Sequence, residues 1–238
     1  MKLDIKNINK ELKNIKILDD FSLTVNEGEI AIILGKSGAG KSTILRILNN
    51  LDTLDSGQIL LNNIPINEYQ EKKIGIVFQN FNLFSNLSVI ENITLALIQV
   101  KKIDKIKATQ IGCNLLKKYH LLEKKNEPIH SLSGGQKQKI AIVRTLAMES
   151  KVICFDEPVS SLDPYSTNEI LTFIKELQKE NYIIIMTTHN MSIFNQLNCT
   201  INLLHNGNIT ESNKSEDFFN ENNKNNNSQL HKFIHGIL

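Results

Sequence analysis

The sequence predicts an α/β fold built on a mostly parallel sheet, and three observations carry that reading. Four short apolar runs stand out: "EIAIIL" at 29–34, "KIGIVF" at 73–78, "KVICFDEP" at 151–158 and "NYIIIMTTH" at 181–189. Their length and lack of alternation suit parallel strands buried on both faces. These runs end at Gly35, Gln79, Asp156 and His189 respectively. The carboxyl ends of strands line the ligand crevice of an open parallel sheet, so one crevice receives all four residues. Lastly, a glycine-rich stretch, "GKSGAGKST" at 35–43, joins the first run to a helical pattern.

The elements follow in chain order. Residues 3–32 alternate and read as short strands, "LDIKNI", "FSLTV" and the run ending at Gly35. After Lys41 the spacing turns helical, with Ile44, Leu45, Leu48 and Leu51 on one face. "DSG" at 55–57 breaks that pattern and "QILLN" restarts a strand. Residues 88–125 read as mostly helical with solvated, lysine-rich faces, and 132–148 as a further helix. From 220, "NENNKNNNSQ" is polar and low in complexity, a flexible link before "LHKFIHGIL", a terminal helix able to dock.

Bulk properties narrow the function. At 238 residues the chain can bury a core with a closely attached lobe. Its net charge of +2 gives no electrostatic case for nucleic acid, which is not expected as a partner. Arg46 and Arg144 are the only arginines. Cys113, Cys154 and Cys199 show no metal-ligand spacing, and Cys154 sits in an apolar run, which favours a reducing, cytosolic setting. The start, "MKLDIKNINK", lacks the apolar core of a signal peptide. No apolar stretch approaches the roughly 20 residues of a membrane-spanning helix. The chain is therefore expected to be soluble, with any membrane contact made through a partner.

The chemistry starts at Gly35, Lys36, Ser37, Gly38, Ala39, Gly40, Lys41 and Ser42, followed by Thr43. They fit G-x-x-x-x-G-K-[ST] between a strand and a helix, the context a phosphate-binding loop requires. The glycines let backbone N–H groups wrap the phosphates, Lys41 would neutralise the β- and γ-phosphates, and the Ser42 hydroxyl would ligate Mg²⁺. "VICFDE" supplies the acids: Asp156 to hold Mg²⁺, and Glu157 to polarise an attacking water. A second glycine-rich helix start, Ser133, Gly134, Gly135 and Gln136, raises a question. Taken alone it is equally a simple cap with Ser133 as the capping residue or a second anion site.

The order phosphate loop, Gln79, "LSGGQ" (132–136), "FDEP" (155–158), "SLD" (161–163) and His189 closely resembles the ATP-binding subunit of ABC transporters. The resemblance spans nearly the whole chain. It implies an ABC ATPase core with an N-terminal antiparallel β-subdomain over 1–78 and 150–219, a helical lobe bearing the signature over 79–149, and the link and terminal helix over 220–238. It also implies that two copies dimerise head to tail on binding ATP, each nucleotide lying between one phosphate loop and the partner's "LSGGQ". Ser133 and Gly135 would then donate to the other subunit's γ-phosphate, Gly134 and Gln136 completing that contact. Gln79 would touch Mg²⁺ and the attacking water while sensing a membrane subunit. His189 would contact the γ-phosphate and keep Glu157 productive, and Asp163 would bridge to the partner's loop.

"VFQNFNLFSNLSVIENITLALI" (77–98) is similar to the polar amino acid uptake subfamily, as are "TLAM" and "SSLDP". Departures stand at Ser85, Lys139 and Asn190, where the family usually has proline, arginine and an acid. The resemblance implies a peripheral ATPase on the cytoplasmic face of the membrane, energising import of a polar amino acid such as glutamine. Separate permease subunits, and indirectly a substrate-binding protein, would be its partners. Phe81 and Phe84 either fill the helical lobe or border the groove for a permease helix. In the family an aromatic ring stacks on adenine where this chain has Leu12, two residues after Lys10, so Leu12 and Ile17 are the expected base contacts, with Tyr69 or another ring as the alternative. Alternatives are an ATPase of lipoprotein release or cell division, and a soluble ABC ATPase acting on DNA or ribosomes.

Overall fold

The computed structural model describes residues 1–69, 73–218 and 228–234. Strands β1 (Lys2–Leu12) and β2 (Ile15–Asn26) form a hairpin. Lys13 and Asn14 close it at φ 51° and 63°, a two-residue turn whose twist matches the strands. β3 (Ile30–Leu34) leads through the phosphate loop into α1 (Lys41–Leu48). β4 (Ser56–Leu61), the short β5 (Ile64–Pro65) and β6 (Ile74–Val77) follow. Next come α2 (Val89–Gln99), α3 (Lys105–Lys118) and α4 (Gly134–Ala147). The chain returns through β7 (Val152–Asp156), α5 (Pro164–Lys179), β8 (Ile183–Thr187), β9 (Thr200–His205) and β10 (Asn208–Lys214). It ends in α6 (Ser215–Phe218) and α7 (Gln229–Ile234).

Two sheets result. One is antiparallel, in the order β2-β1-β4-β5. The other runs β10-β9-β3-β8-β7-β6 and is parallel except for β10. Because β3, β8, β7 and β6 are parallel neighbours, Gly35, His189, Asp156 and Gln79 all come to the same edge. This is the α/β architecture the apolar runs predict.

The runs are continuously apolar because the parallel sheet is covered on both faces. Ile30, Ile32 and Leu34 of β3 join one core with Ile153, Phe155, Ile184 and Met186, against α4 and α5. Ala31 and Ile33 join a second with Val152, Cys154, Ile183 and Ile185, against α1 and the antiparallel sheet. Alternate side chains of each strand thus enter different cores, so both sets are apolar except where a partner satisfies a polar group.

Two expectations need correction. Leu51 is not on the apolar face of α1: the helix ends at Leu48 and Leu51 is 45% exposed. Asn50 at φ 56° turns the chain left-handed, with Leu51 N–H donating to Arg46 O and Asn50 N–H to Ile47 O, a Schellman closure that stops the helix one turn early. The strands β9 and β10 lie where no strand was expected. The link expected at 220–229 lies outside the described residues up to 227, as do 235–238 of the expected terminal helix. Over Gln229–Ile234 the terminal helix does dock: Leu230 is fully buried and its N–H donates to Glu211 Oε2 at 2.8 Å.

Candidate nucleotide site

The phosphate loop is shaped by backbone need. Gly40 is the residue before α1 and sits at φ 102°, outside what L side chains adopt, and a Cβ there would come within 3.1 Å of Ile17 Cγ2. Ile17 thereby packs on the loop from the β1–β2 hairpin, whereas Leu12, at the hairpin tip, is 45% exposed. Lys10 bridges to Asp55 at 2.8 Å. Gly35, Gly40 and Lys41 are buried, while Lys36, Ser37, Gly38 and Ser42 are exposed and Ala39 and Thr43 intermediate. The Lys41 ammonium donates to the carbonyls of Gly35 (2.8 Å) and Lys36 (3.0 Å). Burial pushes that ammonium below the ordinary lysine range, and the carboxylates of Glu157 and Asp156 pull it back.

Across the strand ends the acids form a connected group. Ser42 Oγ lies 3.3 Å from Asp156 Oδ1, and the buried Thr187 hydroxyl donates to the same oxygen at 2.7 Å. Glu157 sits at φ 48°, a left-handed conformation that costs a non-glycine residue about 1–3 kcal/mol unless its surroundings hold it. Here Glu157 N–H donates to Thr187 O (3.1 Å) and Thr187 Oγ1 (3.2 Å), and Glu157 O accepts from Ser160 Oγ (3.1 Å). Its Oε1 lies 2.9 Å from His189 Nε2. Gln79 is exposed in the turn after β6.

Hydroxyl, carboxylate and side-chain carbonyl oxygens at Ser42, Asp156 and Gln79 are hard donors, the set Mg²⁺ accepts when phosphates and water complete the coordination. The 3.3 Å approach of Ser42 Oγ to Asp156 Oδ1 brings the hydroxyl and the carboxylate within reach of one cation.

The second glycine start is placed differently. Ser133 caps α4 in a capping box: its Oγ accepts from Gln136 N–H, and Gln136 Oε1 accepts from Ser133 N–H at 3.0 Å. A Cβ on Gly135 would come within 2.7 Å of Ser166 Oγ, so a side chain there would force Ser166 to shift. Gly134 faces Leu162 more loosely, a Cβ there lying 3.1 Å from Leu162 Cδ2. Asp163 caps α5, accepting from the N–H and the hydroxyl of Ser166. Those hydrogen bonds hold its carboxyl below the usual range. The "LSGGQ" and "SLD" segments are thus one packed unit.

Two further residues organise the site without having been singled out by sequence. Thr187 is one. Arg144 is the other: from α4 it donates to the carbonyls of Phe81 (3.0 Å) and Asn82 (2.6 Å), both at positive φ in the turn after Gln79. Phe81 packs against the core, while Phe84 is 48% exposed.

A phosphate loop at the edge of a parallel sheet, facing an adjacent Asp-Glu pair and a histidine, defines a P-loop nucleoside triphosphatase. The ABC transporter family description matches residues 18–160, and the chain belongs to that family as an ATP-binding, ATP-hydrolysing domain. Among its relatives are a glutamine transport ATP-binding protein of Geobacillus stearothermophilus, 38% identical over 89% of this chain and 90% of that one. A glutamate/aspartate import ATP-binding protein of Escherichia coli is 35% identical over 92% of this chain and 93% of its own. In structure the chain is similar to the ATP-binding cassette MJ0796, seen as a dimer in a post-hydrolysis state with ADP and Pi. That match has a TM-score of 0.75 and 30% identity, and covers 90% of this chain and 98% of that one. No helix among the described residues is long and apolar enough to cross a membrane.

Proposed function

We propose that this chain hydrolyses ATP as a head-to-tail dimer and so drives uptake of a polar amino acid through separate permease subunits. It would sit on the cytoplasmic face of the membrane, with a substrate-binding protein as an indirect partner. The observation that carries the catalytic half is the linked group Ser42, Asp156, Glu157, Thr187 and His189 facing Lys41. The transport half rests on the two relatives, one named for glutamine transport and the other for glutamate/aspartate import. Their differing substrates leave the particular amino acid to the other subunits.

In this reading residues 35–43 wrap the triphosphate with backbone N–H groups while Lys41 neutralises it. Ser42, Asp156 and Gln79 hold Mg²⁺, which when bound offsets charge on the β- and γ-phosphate oxygens. Glu157 takes a proton from the attacking water, and His189, already 2.9 Å from its carboxylate, fixes its orientation and reaches the γ-phosphate. Ile17 covers the base, with Leu12 reaching it from the hairpin tip. Ser133, Gly134, Gly135 and Gln136 close over the partner's ATP, and Asp163 meets the partner's loop. Residues 79–149 move as a lobe against the remainder, passing dimer closure to the permease.

Glu157→Gln tests the reading. It should keep ATP binding, cut phosphate release by roughly 10²-fold or more, and accumulate an ATP-bound dimer on size exclusion. Turnover near that of the native chain would remove Glu157 from the mechanism. Recovery of the chain from membranes together with an integral membrane protein checks the transport half.

A further inference from the structure

We infer that Thr187 is a positioning residue of the ATP site, acting through the carboxylate of Asp156 and the backbone of Glu157. The inference rests on the roles proposed above for those two acids. β8 is buried along its whole length, Ile183, Ile184, Ile185 and Met186 being apolar and Thr187 alone carrying a hydroxyl. A buried hydroxyl is costly unless bonded, and valine would fill the same space with no polar demand. Packing therefore gives no reason for threonine here. Its hydrogen bonds do.

A hydroxyl has one proton to give and lone pairs to receive. Thr187 gives its proton to Asp156 Oδ1 at 2.7 Å and receives the Glu157 N–H at 3.2 Å. The single side chain thus touches both neighbouring acids, and its β-branched χ1 is stiff enough to hold each. At Asp156 it fixes the rotamer, since Oδ1 is engaged and Oδ2 has no protein donor among the described residues. That leaves Oδ2 as the oxygen turned to a cation or its water. At Glu157 it shares the N–H with its own carbonyl, and so helps hold the left-handed backbone that sets where the carboxylate points. Loss of the hydroxyl frees Asp156 to rotate and slackens Glu157, while the strand and its packing stay.

The test compares the full-length chain with Thr187→Val and Thr187→Ser, with Glu157→Gln alongside. Thr187→Val should lower kcat about 10-fold or more, the loss falling mainly on kcat rather than on KM for ATP. Thr187→Ser, which restores the donor, should recover most of the loss. Equilibrium ATP binding gives a second readout: in EDTA, Thr187→Val should bind like the native chain, while the tightening produced by adding Mg²⁺ should shrink. A role in folding alone would instead weaken binding equally with and without Mg²⁺, and that result overturns the inference. So does a Thr187→Val kcat equal to the native value, or a Thr187→Ser variant as impaired as Thr187→Val. If the native chain and Glu157→Gln turn over equally, the proposed catalytic reading fails and takes this inference with it. An inactive Glu157→Gln beside a fully active Thr187→Val sinks Thr187 alone.

Discussion

The two glycine-rich helix starts share a composition and solve opposite problems. At α1, Gly40 offers no side chain to cap the helix, and its φ of 102° bends the chain into the loop proposed to wrap phosphate. At α4, Ser133 and Gln136 satisfy each other in a capping box, and the glycines serve closeness to Leu162 and Ser166. The first start carries a buried lysine whose ammonium donates to the loop carbonyls of Gly35 and Lys36. The second takes up the Gln136 N–H and seats Gly134 and Gly135 against Leu162 and Ser166. Glycine at a helix start thus means a left-handed turn in one place and a packed neighbour in the other.

The largest test of this contrast separates own-subunit from partner chemistry. Lys41→Ala alone and Ser133→Arg alone should each cut ATP hydrolysis by about 10²-fold or more. Mixed together, they form a dimer with one intact composite site and one doubly broken site, and nucleotide trapping should return. A mixture that traps no more ATP than either variant would break the head-to-tail contrast.

Next in size is Gly135→Ala. Overpacking against Ser166 should cost about 1–3 kcal/mol, more than alanine returns in helix propensity. In a chain of this length that is a fall of roughly 2–12 °C in Tm, measured by calorimetry. Ser166→Gly in the same background should recover part of it. An unchanged Tm would mean that the two helices can separate at little cost.

Ser133→Ala removes the cap alone and should cost about 1 kcal/mol, readable as a shift in the urea midpoint. The smallest effect lies at α5, whose cap is charged where that of α4 is neutral. The hydrogen bonds from Ser166 depress the Asp163 carboxyl in the folded state. Their stabilisation is therefore present above the unfolded carboxyl value and lost as pH falls through the folded one. Melts below about pH 4 should show the native chain losing this increment while Asp163→Asn, which caps without titrating, does not.

Most of the sheet was legible because burial on both faces leaves an unbroken apolar run, and the crevice because the polar ends of those runs share an edge. Leu51 was misread because helical spacing continues past Asn50, and only the left-handed backbone there ends the helix. β9 and β10 were missed for a related reason: Asn202 sits buried within β9, its amide donating to Ile32 O, and β10 is polar along one exposed side. A pattern of apolar residues cannot show a polar one satisfied by a neighbouring strand. The strained φ of Glu157 and the hydroxyl of Thr187 beneath it depend on residues about 30 apart meeting across β7 and β8, which no local window contains.

The position of β3 has a consequence for synthesis. Its five residues are wholly buried, yet its sheet neighbours are β8 and β9, so Ile30 pairs with Ile184 and Ala31 with Thr200. At 5–20 residues per second, the ribosome takes roughly 8–30 s to deliver those partners after the central strand has emerged. During that interval the phosphate loop has no sheet to stand on, and "IAIIL" is an unpaired, fully apolar edge. Pairing of such sequence-distant parallel strands is intrinsically slow. Translation rate and chaperone supply, rather than final stability, should therefore set how much of this chain reaches its native form in the cell.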